Sequence, residues 1–335
     1  MTRHRVAVVG LGKQGWRADE DEGRPRPRSH VSAWQNCPRA ELVAVYDKDP
    51  RRVCSEPFPG AWIKIECLDF DRVLERKPDI VSVATPPDTH AALIQLLCEA
   101  ATPPRLIVSE KPLAFSSKAA QEIVEACRKA RIVLLVNHGR RFHPLIRSVK
   151  RELDEGRIGK PLWASAWTSG GLWDNQVHMV DLLRFFLGEV RWVHATWQGP
   201  CGEQGENGLV MTLRFADGVY ALIHAGDIRR YVQTDLHIFG ERGAVWLRRF
   251  GLETLWSRVS GDYPLAGEYF HLLHDSSDAA PPTTFLSEMA EHACDILEGK
   301  VEPWCTGEDG LAAVQVLEAA ERSVAAGSMA ICPGA

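Results

Sequence analysis

The order of apolar and polar positions divides the chain into two regimes. Up to residue 137, short β-branched runs alternate with longer segments of helical spacing. Residues 5–9, 41–46, 80–85, 106–109 and 132–136 predict strands. Val81-Ser82-Val83 and Val133-Leu134-Leu135-Val136 are almost continuously apolar, as parallel strands covered on both faces are. Residues 68–76, 88–101 and 116–130 predict the intervening helices, the last capped by Ser116 or Ser117. This alternation implies an α/β domain built on a doubly wound parallel sheet of the Rossmann type.

After about residue 160 the pattern changes. Residues 163–168, 192–198, 209–215, 219–224, 234–239 and 244–247 predict strands with few helices between them. Ala216-Asp217-Gly218 and Gly240-Glu241-Arg242-Gly243 mark hairpin-like turns. Two closing helices are expected over 285–298 and 308–326. The second region therefore reads as an α+β domain with a large, mostly antiparallel sheet. The expected division is 1–138 and 139–335, the closing helices being free to pack back on the first domain. A length of 335 residues agrees with two domains.

Composition narrows the field by exclusion. Hydrophobic residues make up 45% and charged residues 25%, enough for packed cores and against disorder. A formal net charge of −5 offers no broad positive field for nucleic acid or an anionic membrane. No apolar run reaches the roughly 20 residues that span a bilayer, and residues 1–10 contain no separate apolar signal region. The nine cysteines are scattered, without a Cys-x-x-Cys pair, so reduced thiols and a cytoplasmic location are the expectation.

The first strand runs into Gly10-Leu11-Gly12-Lys13-Gln14-Gly15, which fits a dinucleotide fingerprint. Gly10 permits a tight turn, Gly12 a close approach of pyrophosphate to the backbone, and Gly15 close packing of helix on strand. The second strand ends at Asp47, where a carboxylate can bind the adenosine ribose and repel a 2′-phosphate. That favours NAD. Lys48, Arg51 and Arg52 follow and could neutralise such a phosphate, so NADP stays open. Asp47 lies further from the glycines than the fingerprint expects. The excess is the polar segment 17–29, read as a loop inserted before a helix that resumes at His30. It could form a flap, a subunit contact or a surface loop.

At Ser109-Glu110-Lys111-Pro112-Leu113-Ala114 the sequence resembles the Gfo/Idh/MocA oxidoreductase family, which includes glucose-fructose oxidoreductase and inositol dehydrogenase. Further motifs in order are Ala84-Thr85-Pro86-Pro87 with His90, Arg140-Arg141-Phe142-His143-Pro144, and Glu155 to Pro161. Asp174-x-x-x-His178-x-x-Asp181 and Thr306-Gly307-Glu308-Asp309-Gly310 complete the set. The resemblance implies that Lys111 faces the nicotinamide and the reacting carbinol. It implies that Asp174 and His178 position and deprotonate the substrate hydroxyl. Glu110, Thr85, Pro86, Pro87 and His90 would line the cofactor with the glycine turn, and Arg141 would contact substrate. Trp173, next to Asp174, is also expected near substrate, because aromatic faces stack on sugar rings, although tryptophans at 163, 167 and 173 more often serve sheet and core.

This chemistry has independent sense. Oxidising a secondary alcohol needs a proton acceptor, which histidine provides near neutral pH, and a cation that stabilises developing alkoxide. On a helix, Asp174, His178 and Asp181 would share one face. Each residue also has a plainer reading: Lys111 as a turn lysine, His178 as a satisfied helix histidine, Asp174 as a helix cap, Asp181 as structural. His271-x-x-His274-Asp275, His138 and His143 lack a convincing third ligand, and no metal is expected. The expected function is NAD(P)-dependent interconversion of alcohol and ketone on a sugar, sugar derivative or cyclitol. An NAD-retaining lyase or glycosidase and a non-catalytic dinucleotide-binding sensor are the alternatives. A homodimer or homotetramer is expected, because an exposed sheet face needs cover.

Overall fold

In the first of the chain's two units the strands are β1 (His4–Val9), β2 (Ala40–Tyr46), β3 (Ile80–Val83), β4 (Leu106–Glu110) and β5 (Val133–Asn137), with β3 and β4 buried end to end and the others over most of their length. They pair in parallel in the order β2-β1-β3-β4-β5. The computed structural model describes residues 3–21, 26–54, 69–261, 270–281 and 285–334. The connecting helices are α1 (His30–Asn36), α2 (Pro50–Cys54), α3 (Phe70–Glu75), α4 (His90–Glu99) and α5 (Ser117–Ala130). Ser116 caps α5 by accepting the Ala119 N–H, which resolves the choice between two serines. Leu68, expected to open α3, lies outside the described residues. Chain order reverses between β1 and β3, and crevices at such reversals are where doubly wound sheets bind ligands.

The second unit is organised by α6 (Pro144–Asp154), α7 (Val177–Leu187) and an eight-stranded sheet. Its strands are β6 (Pro161–Ser169), β7 (Val190–Pro200), β8 (Asn207–Phe215), β9 (Tyr220–Gly226), β10 (Thr234–Gly240), β11 (Gly243–Arg248), β12 (Glu253–Val259) and β13 (Leu272–Ala279). The spatial order is β13-β12-β11-β10-β6-β9-β8-β7, antiparallel throughout except where β6 pairs with β9. Strand alternation gives the sheet two unlike faces. Ala166, Met211, Leu213, Ile223, Leu236, Ile238, Val245 and Trp256 pack with α6 and α7 in one core. The opposite positions carry Trp163, Trp167, Tyr220 and Trp246, each between 38% and 46% exposed.

The sequence pattern did not reveal α6, β12 or β13. In α6, His143 supplies a cap for the Leu145 N–H and Pro144 sits at the first helical position, both ordinary start signals. β13 is exposed along most of its length and reads Leu-Leu-His-Asp-Ser-Ser-Asp-Ala, without alternation to betray a strand.

α8 (Leu286–Leu297) and α9 (Gly307–Ala325) follow. Neither unit is continuous in sequence: Met1–Phe142 groups with Thr283–Leu311, and His143–Pro282 with Ala312–Ala335. α8 therefore belongs with the parallel sheet. It contacts α1, with Arg39 paired to Asp295 at 2.7 Å. No helix among the described residues is long and apolar enough to cross a membrane.

Candidate functional site

The glycine turn lies at the β1–β3 reversal, and its three glycines do different work. Gly10 has φ +93°, and a Cβ there would stand 2.7 Å from the Ala84 carbonyl oxygen and 2.8 Å from Thr85 Cγ2. A Cβ on Gly15 would stand 1.8 Å from the Gly10 oxygen. Both positions are closed by backbone. At Gly12 the one atom within 4 Å of such a Cβ is Arg52 Nη1, at 3.7 Å. Gly12 thus leaves the turn's backbone open to a ligand, as a pyrophosphate cradle requires. Leu11 is buried beneath it, whereas Lys13 and Gln14 are exposed.

Asp47 is 6% exposed just beyond β2 and turns towards this loop. Its Oδ2 accepts the Leu11 N–H at 2.8 Å and lies 3.3 Å from Arg52 Nη1, while Oδ1 accepts the Asp49 N–H at 2.9 Å. The carboxylate fixes the glycine turn and carries a guanidinium beside it. Lys48 is exposed.

The inserted segment is anchored as well as polar. Residues Arg17–Glu20 form a 3-10 turn in which Asp19 is 5% exposed. Asp19 accepts the Arg28 N–H at 2.9 Å and the Ser29 hydroxyl, closing the loop on itself. Ser29 then caps α1, and the His30 N–H donates to the Gln14 carbonyl at 3.0 Å. The helix resumes at His30 as the sequence implied.

At the C-terminal end of β4, Glu110 is 7% exposed and lies in register with Asn137 of β5. Glu110 Oε1 accepts from Asn137 Nδ2 at 2.6 Å and lies 2.8 Å from His30 Nε2. Burial opposes the charged carboxylate. The hydrogen bond and electrostatic attraction of His30, the Asn137 amide and the Lys111 ammonium outweigh it and hold Glu110 below the usual carboxylate range. Lys111 follows, half-buried, at the sheet's C-terminal edge. On the other side, fully buried His90 sets Nδ1 3.0 Å from the Leu113 carbonyl and Nε2 2.9 Å from the Thr85 carbonyl. Its ring bridges the Thr85-Pro86-Pro87 turn and the turn after Lys111. The glycine turn, Asp47, Thr85, His90, Glu110 and Lys111 therefore belong to one side of one sheet.

Arg141, expected at the substrate, is 4% exposed in the same unit. Its Nη1 lies 3.0 Å from Asp309 and 3.2 Å from the Trp304 carbonyl, at the entrance to α9. These contacts secure the helix start and do not present the guanidinium to solvent.

Trp173, Asp174 and His178 belong to the second unit. Leu172–Gln176 form a π-helical turn that runs directly into α7. Such turns concentrate at functional positions. The helix-start positions are Gly171 and Gln176, so Asp174 is not the cap that it could have been. Buried Gln176 clamps the turn to β8, its amide donating to and accepting from Leu209 at 2.7 and 2.8 Å. Asp174 is exposed, His178 half-buried and Asp181 buried. The Trp173 indole donates to Glu321 at 2.9 Å.

Among the described residues, no group of three or more His, Cys, Asp or Glu side chains could hold a metal ion. Asp275 of the His271–Asp275 stretch is instead paired with Arg157 at 2.7 Å; Tyr269, which precedes that stretch, lies outside the described residues. Sequence reasoning missed His30, Ser82 and Asn137. The available signals were a histidine at the first position of α1 and an asparagine closing a strand whose neighbour ends in Glu110.

Comparison with known proteins agrees with this geometry. A family described as "Oxidoreductase family, NAD-binding Rossmann fold" matches residues 4–138, and the GFO/IDH/MocA C-terminal domain matches residues 146–246. The D-apiose dehydrogenase of Paraburkholderia graminis is 26% identical, with 87% of this chain and 83% of that protein covered. The inositol 2-dehydrogenase of Rhizobium meliloti is 26% identical over 96% of this chain and 97% of its own. The WlbA dehydrogenase of Bordetella pertussis, solved with NADH and UDP-GlcNAcA, has a similar fold. Its TM-score is 0.75 at 22% identity, with 98% of each chain covered.

Proposed function

Because this chain belongs to the Gfo/Idh/MocA family of NAD-binding oxidoreductases, we propose that it interconverts a secondary alcohol and a ketone on a sugar, a sugar derivative or a cyclitol. The observation that carries this reading is the shared edge of the parallel sheet. An open Gly12 backbone lies at the strand-order reversal, and the Glu110–Lys111 turn ends a strand of the same sheet. NAD supplies the hydride acceptor when bound. The glycine turn cradles its pyrophosphate, with Asp47 towards the adenosine ribose. Thr85, Pro86, Pro87 and Glu110 line its path.

Lys111 stabilises negative charge on the substrate oxygen as the proton leaves, and His178 accepts that proton. Asp174 orients the hydroxyl and supports the imidazolium that forms. Trp173 offers an aromatic face to the carbon skeleton. NADP is the second form that the site would admit, through Arg52 and Lys48.

The test is a fluorescence titration with NADH and NADPH, followed by a screen of cyclitols and aldoses for NADH production, with Lys111→Ala as control. Saturable binding of either form and a polyol turned over only by the native protein are expected. If neither cofactor bound, or if Lys111→Ala turned over equally well, the reading would fail. A cofactor that co-purifies and never exchanges would move it to an enzyme of transient oxidation.

The second sheet supports a homo-oligomer in the same reading. Its open face carries stacked rings, Trp163 on Phe239 at 3.9 Å and Trp167 on His224 at 4.4 Å. Apolar patches of this kind are covered in solution, here by a second copy. A monomer in size-exclusion chromatography would count against it.

A further inference from the structure

Away from the candidate site, the described residues of the first unit include two pairs of thiols at the same spacing and in unlike surroundings. Cys37, which follows α1, and Cys294 of α8 have their sulfurs 3.9 Å apart and are 4% and 0% exposed. Cys98, in the last turn of α4, and Cys127, in the last turn of α5, are also 3.9 Å apart. Cys127 is 2% exposed, whereas Cys98 is half-buried. All four are free thiols.

Helices α4 and α5 pack side by side, and Cys98 borders an open depression of about 400 Å³ along them. Gln95 and Glu99 of α4 line it, with Glu122, Glu125 and Lys129 of α5. That space is ample for a molecule little larger than water. Core packing accounts for Cys37 and Cys294, since buried cysteine serves as a small apolar filler. It does not account for an accessible thiol with a second, buried thiol against it. Two-step thiol oxidation needs that arrangement: one sulfur within reach of the oxidant and a resolving sulfur beside it. The pair is polarised in the same sense. Contact with Cys127 lowers Cys98 from the ordinary thiol value, against burial and the Glu99 carboxylate, while contact with Cys98 and burial raise Cys127.

We propose that Cys98 and Cys127 are a peroxide-responsive dithiol, reduced at rest, whose disulfide staples α4 to α5. The Cys98 thiolate attacks one peroxide oxygen. An S–O bond forms, the O–O bond breaks, and the departing hydroxide leaves as water with the proton that the thiol gave up. Cys127 then attacks the Cys98 sulfur. The S–S bond forms, the S–O bond breaks, and the second hydroxide leaves as water with the Cys127 proton. Two thiols are oxidised to one disulfide, and one peroxide is reduced to two waters. A dithiol reductant reverses the link by exchange and is itself oxidised to a disulfide. The sulfurs must close to about 2 Å, and Cys98, with open space beside it, has the freedom to turn. The staple joins the far ends of two helices whose starts, at His90 and after Ser116, follow the Thr85 and Lys111 turns. It also spares Cys98 the sulfinic and sulfonic acids, the poorly reversible end of thiol oxidation.

The test uses the full-length reduced protein and hydrogen peroxide. After exposure, the remaining thiols are blocked with N-ethylmaleimide and the unreduced peptides are mapped by mass spectrometry. Peptides joined through Cys98 and Cys127 are expected before any Cys37–Cys294 link, and dithiothreitol should separate them. The oxidised protein should melt several degrees higher, because the link constrains the unfolded chain between residues 98 and 127. In Cys127→Ser, peroxide should carry Cys98 on to sulfinic and sulfonic acid, and the gain in melting temperature should vanish. Native protein in which Cys98 is over-oxidised without the link, or in which both thiols stay open to blocking, would overturn the proposal. So would a Cys37–Cys294 link that appears first or together with the other, since oxidation would then follow unfolding. A link that brings no gain in melting temperature would overturn the staple. Should the serine variant fail to fold, the map and melt of the native protein decide alone.

Discussion

The two groups of candidate residues are held in opposite ways. In the first unit, Asp47, His90 and Glu110 are each buried and each grip at least two partners from separate elements. In the second, Asp174 is exposed on a π turn pinned from behind by Gln176, and His178 is half-buried in the first turn of the helix that follows. A cofactor that never changes favours a preorganised cradle, whereas substrates vary and are met by side chains on a rigid frame with open tips. The cradle's precision comes from backbone that admits no Cβ at Gly10 and Gly15. The proposed substrate half would rely instead on a few polar groups placed at the start of one helix.

This contrast can be broken most severely at the chemistry. Lys111→Ala, Asp174→Asn or His178→Ala should each lower turnover on the order of 10²- to 10⁴-fold. NADH affinity should stay within a few-fold, as read by steady-state NADH production against fluorescence titration. A large loss of NADH binding in the Asp174 or His178 variant would erase the division of labour. Next in size, Gly15→Ala forces a Cβ to within 1.8 Å of the Gly10 oxygen. It should abolish NADH binding and cost about 1–3 kcal/mol or more of stability, seen as several degrees in a thermal melt. Gly12→Ala meets only the end of Arg52 and should keep its melting temperature while binding NADH more weakly.

Acid sharpens the comparison, because the two units carry perturbed groups of different kinds. Burial of His237 among Phe239 and Trp246 pushes its pKa down to about 4, so the unfolded chain binds the proton first. Stability is fully present above the ordinary histidine value of 6.5 and is lost as pH falls from there to about 4. His237→Phe should flatten that slope in pH-dependent denaturation. Glu110 is likewise depressed, but its contribution is present above the ordinary value of 4.5 and disappears only as pH falls further, through its lowered folded value. Between pH 6.5 and 4.5 the first-unit probe should therefore stay flat while the second declines. The smallest effect is expected from Trp173→Phe, which removes one partly exposed hydrogen bond to Glu321. It should change stability by no more than about 0.5–1.5 kcal/mol, with any larger consequence confined to KM.

Legibility followed the same division. The parallel strands announced themselves because burial on both faces demands continuous apolar runs, and Val81–Val83 could be little else. The glycine turn was legible because Gly10 and Gly15 are required by sterics that act over a few residues. His30, Ser82 and Asn137 were not legible, because their roles depend on contacts between residues 27 to 80 positions from one another. The partner of Arg141 was equally out of reach: a conspicuous arginine pair says nothing about the Asp309 carboxylate it meets. The π turn escaped notice because the difference between a helix and a widened turn lies in one hydrogen-bond step. β13 escaped because it has no apolar face to alternate.

The sequence discontinuity of the first unit bears on how the protein is made. Its parallel sheet is complete in the chain by Asn137, yet α8, which contacts α1 and receives Arg39, arrives only after the whole second sheet has been synthesised. At about 5–20 residues per second, translation from Phe142 to Leu311 takes roughly 8–34 s. During that interval the outer side of α1 and the thiol of Cys37, which lies 3.9 Å from Cys294 in the finished fold, stand uncovered on the ribosome. Chaperone binding to nascent chains should therefore be strongest in this window and fall once residue 311 has cleared the exit tunnel. A circular permutant that begins at α8 should shorten it.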